Sequence, residues 1–99
     1  MRVTLPHDLT KDEVRRRMHA HADEIAGFFP AGIAKIETDW PSEDRMAITA
    51  EVMGYTIPGG VDVRDNEVVI EMQLPAMLGM MRGSIEYAVK KEAGRLLAP

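Results

Sequence analysis

Between residues 34 and 74 apolar side chains recur at every second position, and on either side of that stretch they recur at every third or fourth. This change of period constrains the fold more than any other feature. A period of two is a strand with one buried face, and a period near 3.6 is a helix with one buried stripe. Ala34, Ile36, Thr38 and Trp40 alternate with Lys35, Glu37 and Asp39. Met46, Ile48, Ala50 and Val52 alternate with Ala47, Thr49, Glu51 and Met53, and then Gly54 breaks the run. Pro58-Gly59-Gly60 is expected to break it again before Val61 and Val63. Val68, Ile70, Met72 and Leu74 alternate with Val69, Glu71 and Gln73. Pro41-Ser42-Glu43-Asp44 reads as a turn and Asp65-Asn66 as a hairpin. One polar face per strand implies an antiparallel sheet covered on one side.

Arg2 to Leu5 adds a short strand that Pro6 ends. Thr10-Lys11-Asp12-Glu13 then fits a capping box, and its two acids suit the positive end of a helix dipole. The first helix is expected from about Lys11 to Phe29, with Val14, Met18, His21, Ala22, Ile25, Phe28 and Phe29 on one stripe. Pro75 opens a second helix reaching about Leu97, with Leu78, Met81, Ile85, Val89 and Leu96 facing inward. The expected fold is therefore α+β, one single domain over residues 1–99. It is a single antiparallel sheet with elements in the order β-α-β-β-β-β-α and two helices packed on one face. A chain of 99 residues buries about two-thirds of its unfolded surface, enough for one core.

Composition excludes several functions. There is no cysteine, so disulfides, thiolate catalysis and zinc–thiolate sites are out of reach. A net charge of −4 works against non-specific nucleic-acid binding. No apolar run approaches the ~18 residues of a membrane span, and the opening MRVTLPHDLT lacks the apolar centre of a secretory signal. A cytoplasmic location is expected.

The candidate titratable groups are His7, His21 and Glu92. His7 stands just before the first helix, where a structural role in the turn outweighs a general base, because no serine or threonine pairs with it at a known spacing. His19 and His21 point ~200° apart on a helix and cannot share a metal ion. His21 is expected at the edge of the core and His19 in solvent. Glu92 falls on the inward stripe of the second helix but can reach water at the sheet edge. Arg15, Arg16 and Arg17 fan around the first helix beside Asp12 and Glu13, which reads as a self-neutralised face. No catalytic residue, metal or cofactor is expected.

The second helix also carries the best hint of a contact surface. Gly79, Gly83 and Gly94 lie opposite its inward stripe, and a bare helix face lets another backbone approach. Met77, Met80 and Tyr87 stand beside those glycines, and methionine adapts to varied partners. The candidate contact set is Met77, Gly79, Met80, Gly83 and Tyr87. An alternative is a small acyl-ligand pocket between sheet and second helix, lined by Ile48, Val63, Ile70, Met81 and Ile85.

Taken in order, several segments resemble the polyhydroxyalkanoic acid system family of small bacterial proteins linked to polyester storage-granule genes. They are His7-x-Leu9 with Glu13 and Arg15 to Arg17, Trp40 with an acidic turn, and Gly54. They continue with Gly60-Val61-Asp62-Val63, Leu74-Pro75-x-Met77-Leu78 and Ile85-Glu86. The turn after Trp40 is longer than the family's short Gly-Asp turn, and Pro58-Gly59 is extra, so the sheet is expected to depart locally at both places. The family has no established enzymatic activity, so no catalytic residue carries over. The resemblance implies a cytoplasmic, non-enzymatic accessory role near polyester metabolism. The expected partner is a protein, the granule surface or a second copy of the chain.

Overall fold

A computed structural model describes residues 1–21, 33–52 and 54–98. The elements are β1 (Arg2–Pro6), α1 (Lys11–Ala20), β2 (Ile33–Ser42), β3 (Arg45–Val52), β4 (Tyr55–Val63) and β5 (Glu67–Met72). A 3-10 segment (Ala76–Met81) then leads into α2 (Arg82–Leu96). The strands form one antiparallel sheet in the order β1-β5-β4-β3-β2. The expected fold class stands.

The register explains the core. Val3 pairs with Ile70, Ile70 with Val61, and Val61 with Met46. Pairing across the sheet therefore puts the alternating apolar residues on one face. Val14 and Met18 of α1, and Ile85, Val89 and Ala93 of α2, join the same buried cluster. Both helices therefore cover one face, as the two periods require. Each fully buried aliphatic side chain contributes about 1.5–3 kcal/mol. The other face carries Glu37, Asp39, Glu51, Asp62 and Glu71, although Val69 on that side is also buried.

Several expectations are corrected. Pro58-Gly59-Gly60 does not break a strand: β4 runs through it, paired with β3 from Tyr55 to Asp62. Pro58 is tolerated because it lies just past the β4–β5 ladder, which begins at Gly59 and Met72. Its carbonyl still accepts from the Gln73 amide at 3.0 Å, so its missing N–H costs one bond at the ladder's end. Gly54 does end β3, in a tight connection between the paired Val52 and Tyr55, where its φ is +83°. That is the left-handed region glycine enters without strain.

The turn after Trp40 is Glu43-Asp44 alone, with Ser42 paired to Arg45. The extra length is absorbed by a register shift between Asp39 and Ser42. A second shift lies between Ile33 and Lys35. Both irregularities and Pro41 fall in an edge strand, where they discourage pairing with another sheet.

Thr10 caps α1, accepting from the Glu13 amide at 3.1 Å. The helix ends at Ala20 with His21 as its C-cap, earlier than Phe29. The expected continuation over 22–29 lies outside the described residues. The second helix also differs. Its first turns, Ala76–Met81, are 3-10, and the α-helix begins at Arg82. Its buried stripe is Ile85, Val89 and Ala93, followed by Leu97, with Leu96 at the margin.

Candidate functional site

The outer side of the 3-10 segment and α2 is built by simple periodicity. With Ile85, Val89 and Ala93 facing the sheet, 3.6 residues per turn place Gly83, Ser84, Tyr87, Lys91 and Gly94 away from it. All five are exposed. Met80 is 96% exposed and Tyr87 70%. A Cβ added at Gly79, Gly83 or Gly94 would meet nothing within 4 Å. The side chain of Met77 lies outside the described residues. Four of the five candidate contact residues thus stand on open surface.

The charges on this side are lightly tied. Arg82 reaches Glu86 at 3.5 Å and Arg95 reaches Glu92 at 3.4 Å, both with largely exposed arginines. Pairs of this kind contribute little to stability. Among the described residues, Lys90 and Lys91 have no carboxylate within ion-pair distance.

The titratable candidates have structural partners. His7 is buried. Its Nδ1 accepts from the Leu9 amide at 3.2 Å, which leaves Nε2 as the donor to the Arg64 carbonyl at 2.9 Å. Both ring nitrogens therefore serve backbone groups, joining the start of α1 to the β4–β5 hairpin. His21 is exposed at the C-cap of α1 and borders the cavity beside Val14 and Met18, at the margin of the core. Glu92 is half-buried beside Arg95 and outside the buried stripe. His19 is exposed yet stacks on Trp40, ring centroids 4.2 Å apart.

The arginine run is neutralised by Asp12 and Glu13, and Arg15 and Arg17 also reach partners beyond the helix. Arg15 pairs with Asp12 and with Asp44 of the β2–β3 turn, which Lys11 also holds at 2.9 Å. The Lys11 hydrogen bond, with one from Arg15, holds the Asp44 carboxyl below its usual range. Arg16 and Arg17 both bind Glu13. Hydrogen bonds from Arg16, then Arg17, depress the Glu13 pKa to about 2. Arg17 also donates to the carbonyls of Leu96, at 3.0 Å, and Ala98. It thereby caps the negative end of α2 from the neighbouring helix. Sequence spacing shows the local pairs but not this latch.

A cavity of about 510 Å³ lies between α1, the sheet and the end of α2. Its apolar walls are nearly inaccessible: Val14 is 0%, Met46 1% and Ile70 2% exposed. Its accessible lining is about equally polar and apolar, with Arg16, Arg17, Glu92 and Arg95 at the rim and Leu96 among the apolar groups. Of the five residues named for an acyl pocket, Ile70 borders this cavity. Ile48, Val63 and Ile85 are packed in the core with it, and Met81 packs at the margin. Among the described residues, no cluster of three or more His, Asp or Glu side chains could hold a metal ion.

Residues 1–97 match the family described as "Putative polyhydroxyalkanoic acid system protein", and the chain belongs to that family. No curated protein and no solved structure matches.

Proposed function

We propose that this member of the polyhydroxyalkanoic acid system family is a non-enzymatic, cytoplasmic accessory module that works by binding. Its partner is a protein of the polyester system, the granule surface or a second copy of the chain. The observation that supports this most is the outer side of the second helical segment. There Met80 stands almost wholly in solvent and Tyr87 largely so, beside glycines that leave the backbone bare. On the proposed surface these two exposed side chains, set beside bare backbone, are the groups a partner would cover. The absence of side chains at Gly79 and Gly83 lets a partner come close to the helix axis.

The test is Gly83→Leu. A Cβ there meets nothing within 4 Å and the position faces solvent, so the fold is expected to survive, with a helix former replacing glycine. It stands where a partner would pack. Association, read by light scattering for the chain alone and by pull-down with polyester-system proteins or granules, is expected to weaken. Unchanged association in all three formats would refute this surface.

A further inference from the structure

The charges of this chain are sorted by layer. Helices α1 and α2 carry eight Lys and Arg against four Asp and Glu. Outside these two helices the described residues carry four Lys and Arg against ten Asp and Glu. An acidic protein thus has a net positive helical layer and a strongly negative remainder. Glu37, Asp39, Glu51, Asp62 and Glu71 lie on the sheet face away from the helices, where Arg2 pairs with Glu71 and Arg45 with Asp62, so that face stays net negative.

On α2, the outward direction is led by Tyr87 and Lys91, with Lys90 and Arg95 on either flank. Met80 stands at the N-terminal end of this strip. Cations beside one flexible apolar side chain and one amphipathic ring give electrostatic attraction to an anionic interface with a small apolar contact, while the apolar stripe of the helix stays in the core. Tyrosine places its ring at the apolar boundary and its hydroxyl in water. No described helix is long and apolar enough to cross a membrane, so the contact is superficial.

We propose that the outer face of α2, with Met80 inserted, docks on an anionic phospholipid surface. This rests on the reading of that face as the contact surface and names its occupant. A planar negative surface is favoured over an acidic protein because the whole molecule is polarised. Within a Debye length of about 8 Å the surface attracts the helical layer and repels the acidic sheet face, so it orients the chain as well as holding it.

The experiment is co-sedimentation with vesicles of phosphatidylcholine alone and of phosphatidylcholine mixed with phosphatidylglycerol. Binding is expected to the mixed vesicles and to fall as salt is raised. Each cation removed from the contact should weaken partitioning about fivefold, so Lys90→Ala with Lys91→Ala weakens it about 25-fold. Met80→Ser should weaken binding while circular dichroism stays unchanged. Arg64→Ala removes a cation at the β4–β5 hairpin and should leave binding unaltered. Equal binding to both vesicle types, no binding to either, or an Arg64 effect as large as that of the lysines would overturn the proposal. If vesicles fail while Gly83→Leu still weakens association with a protein, the contact surface stands and its occupant is a protein.

Discussion

Replacing Gly59 by alanine is expected to destabilise the protein, against the usual effect of removing a glycine from a strand. Elsewhere such a change gains up to about 1 kcal/mol, because glycine has more backbone freedom to lose on folding. Here the new Cβ would sit less than 3.0 Å from the Glu71 carbonyl oxygen and the Met72 sulfur. The thioether can swing aside, but the carbonyl belongs to β5 and cannot move without opening the ladder that pairs Gly59 with Met72. Overpacking that forces a backbone shift costs about 1–3 kcal/mol. In a chain of this length 1 kcal/mol moves the melting midpoint by about 4–8 °C. The Gly59 variant should therefore melt roughly 5–20 °C lower. Gly83→Ala, where a Cβ meets open space, should melt a few degrees higher, since alanine gains up to about 1 kcal/mol in a helix. The assay is thermal melting by circular dichroism, repeated in urea. A Gly59 variant that melts at or above the parent would refute the close approach of β4 and β5.

Three further outcomes follow from the hydrogen-bonded links. Glu13→Gln should flatten the acid limb of stability: with its pKa lowered from 4.5 to about 2, the carboxylate stabilises the fold above its unfolded value and loses that effect as pH falls through that range. Melting midpoints of parent and variant should converge by pH 2, and parallel curves would refute the link. His7→Ala strands the Arg64 carbonyl and the Leu9 amide and should cost about 1–3 kcal/mol in urea unfolding; a change below half a kcal/mol would mean water serves both groups equally well. Arg17→Met removes donors from the Leu96 and Ala98 carbonyls, so amide exchange in the last turn of α2 should accelerate while β5 stays protected. Equal protection in both proteins would show that Arg17 does not latch the helices.

The layers of this fold were legible because burial on one face leaves a period. Val3, Ile48, Ile70, Val14 and Ile85 each stand where that period puts them, in one cluster. What was hidden depends on partners distant in sequence. The Arg17 latch reaches a carbonyl 79 positions away and the His7 bond one 57 positions away. The extra residue near Pro41 became a bulge because β3 fixed the register on both sides of it. The local signal of Pro58-Gly59-Gly60 for a broken strand yielded to continuous pairing with β3. At the candidate surface the spacing placed Met80, Gly83 and Tyr87 outward because the helical stripe fixes its opposite. It did not show that Ala76–Met81 winds as a 3-10 segment.

The glycines themselves argue for an outside partner. Gly54 and Gly59 have reasons within the chain, a positive φ and a close approach. Gly83 and Gly94 have none: both lie in α2, both are exposed, and a Cβ at either meets nothing. Each costs up to about 1 kcal/mol relative to alanine, against a total stability of roughly 5–15 kcal/mol for a domain. The proposed contact gives these two glycines a reason that the fold does not: a bare face beside Met80 and Tyr87 is what an outside partner would use. If alanine at both positions stabilises the domain and leaves every association and its function unchanged, that reasoning fails, and the bare face is only tolerated.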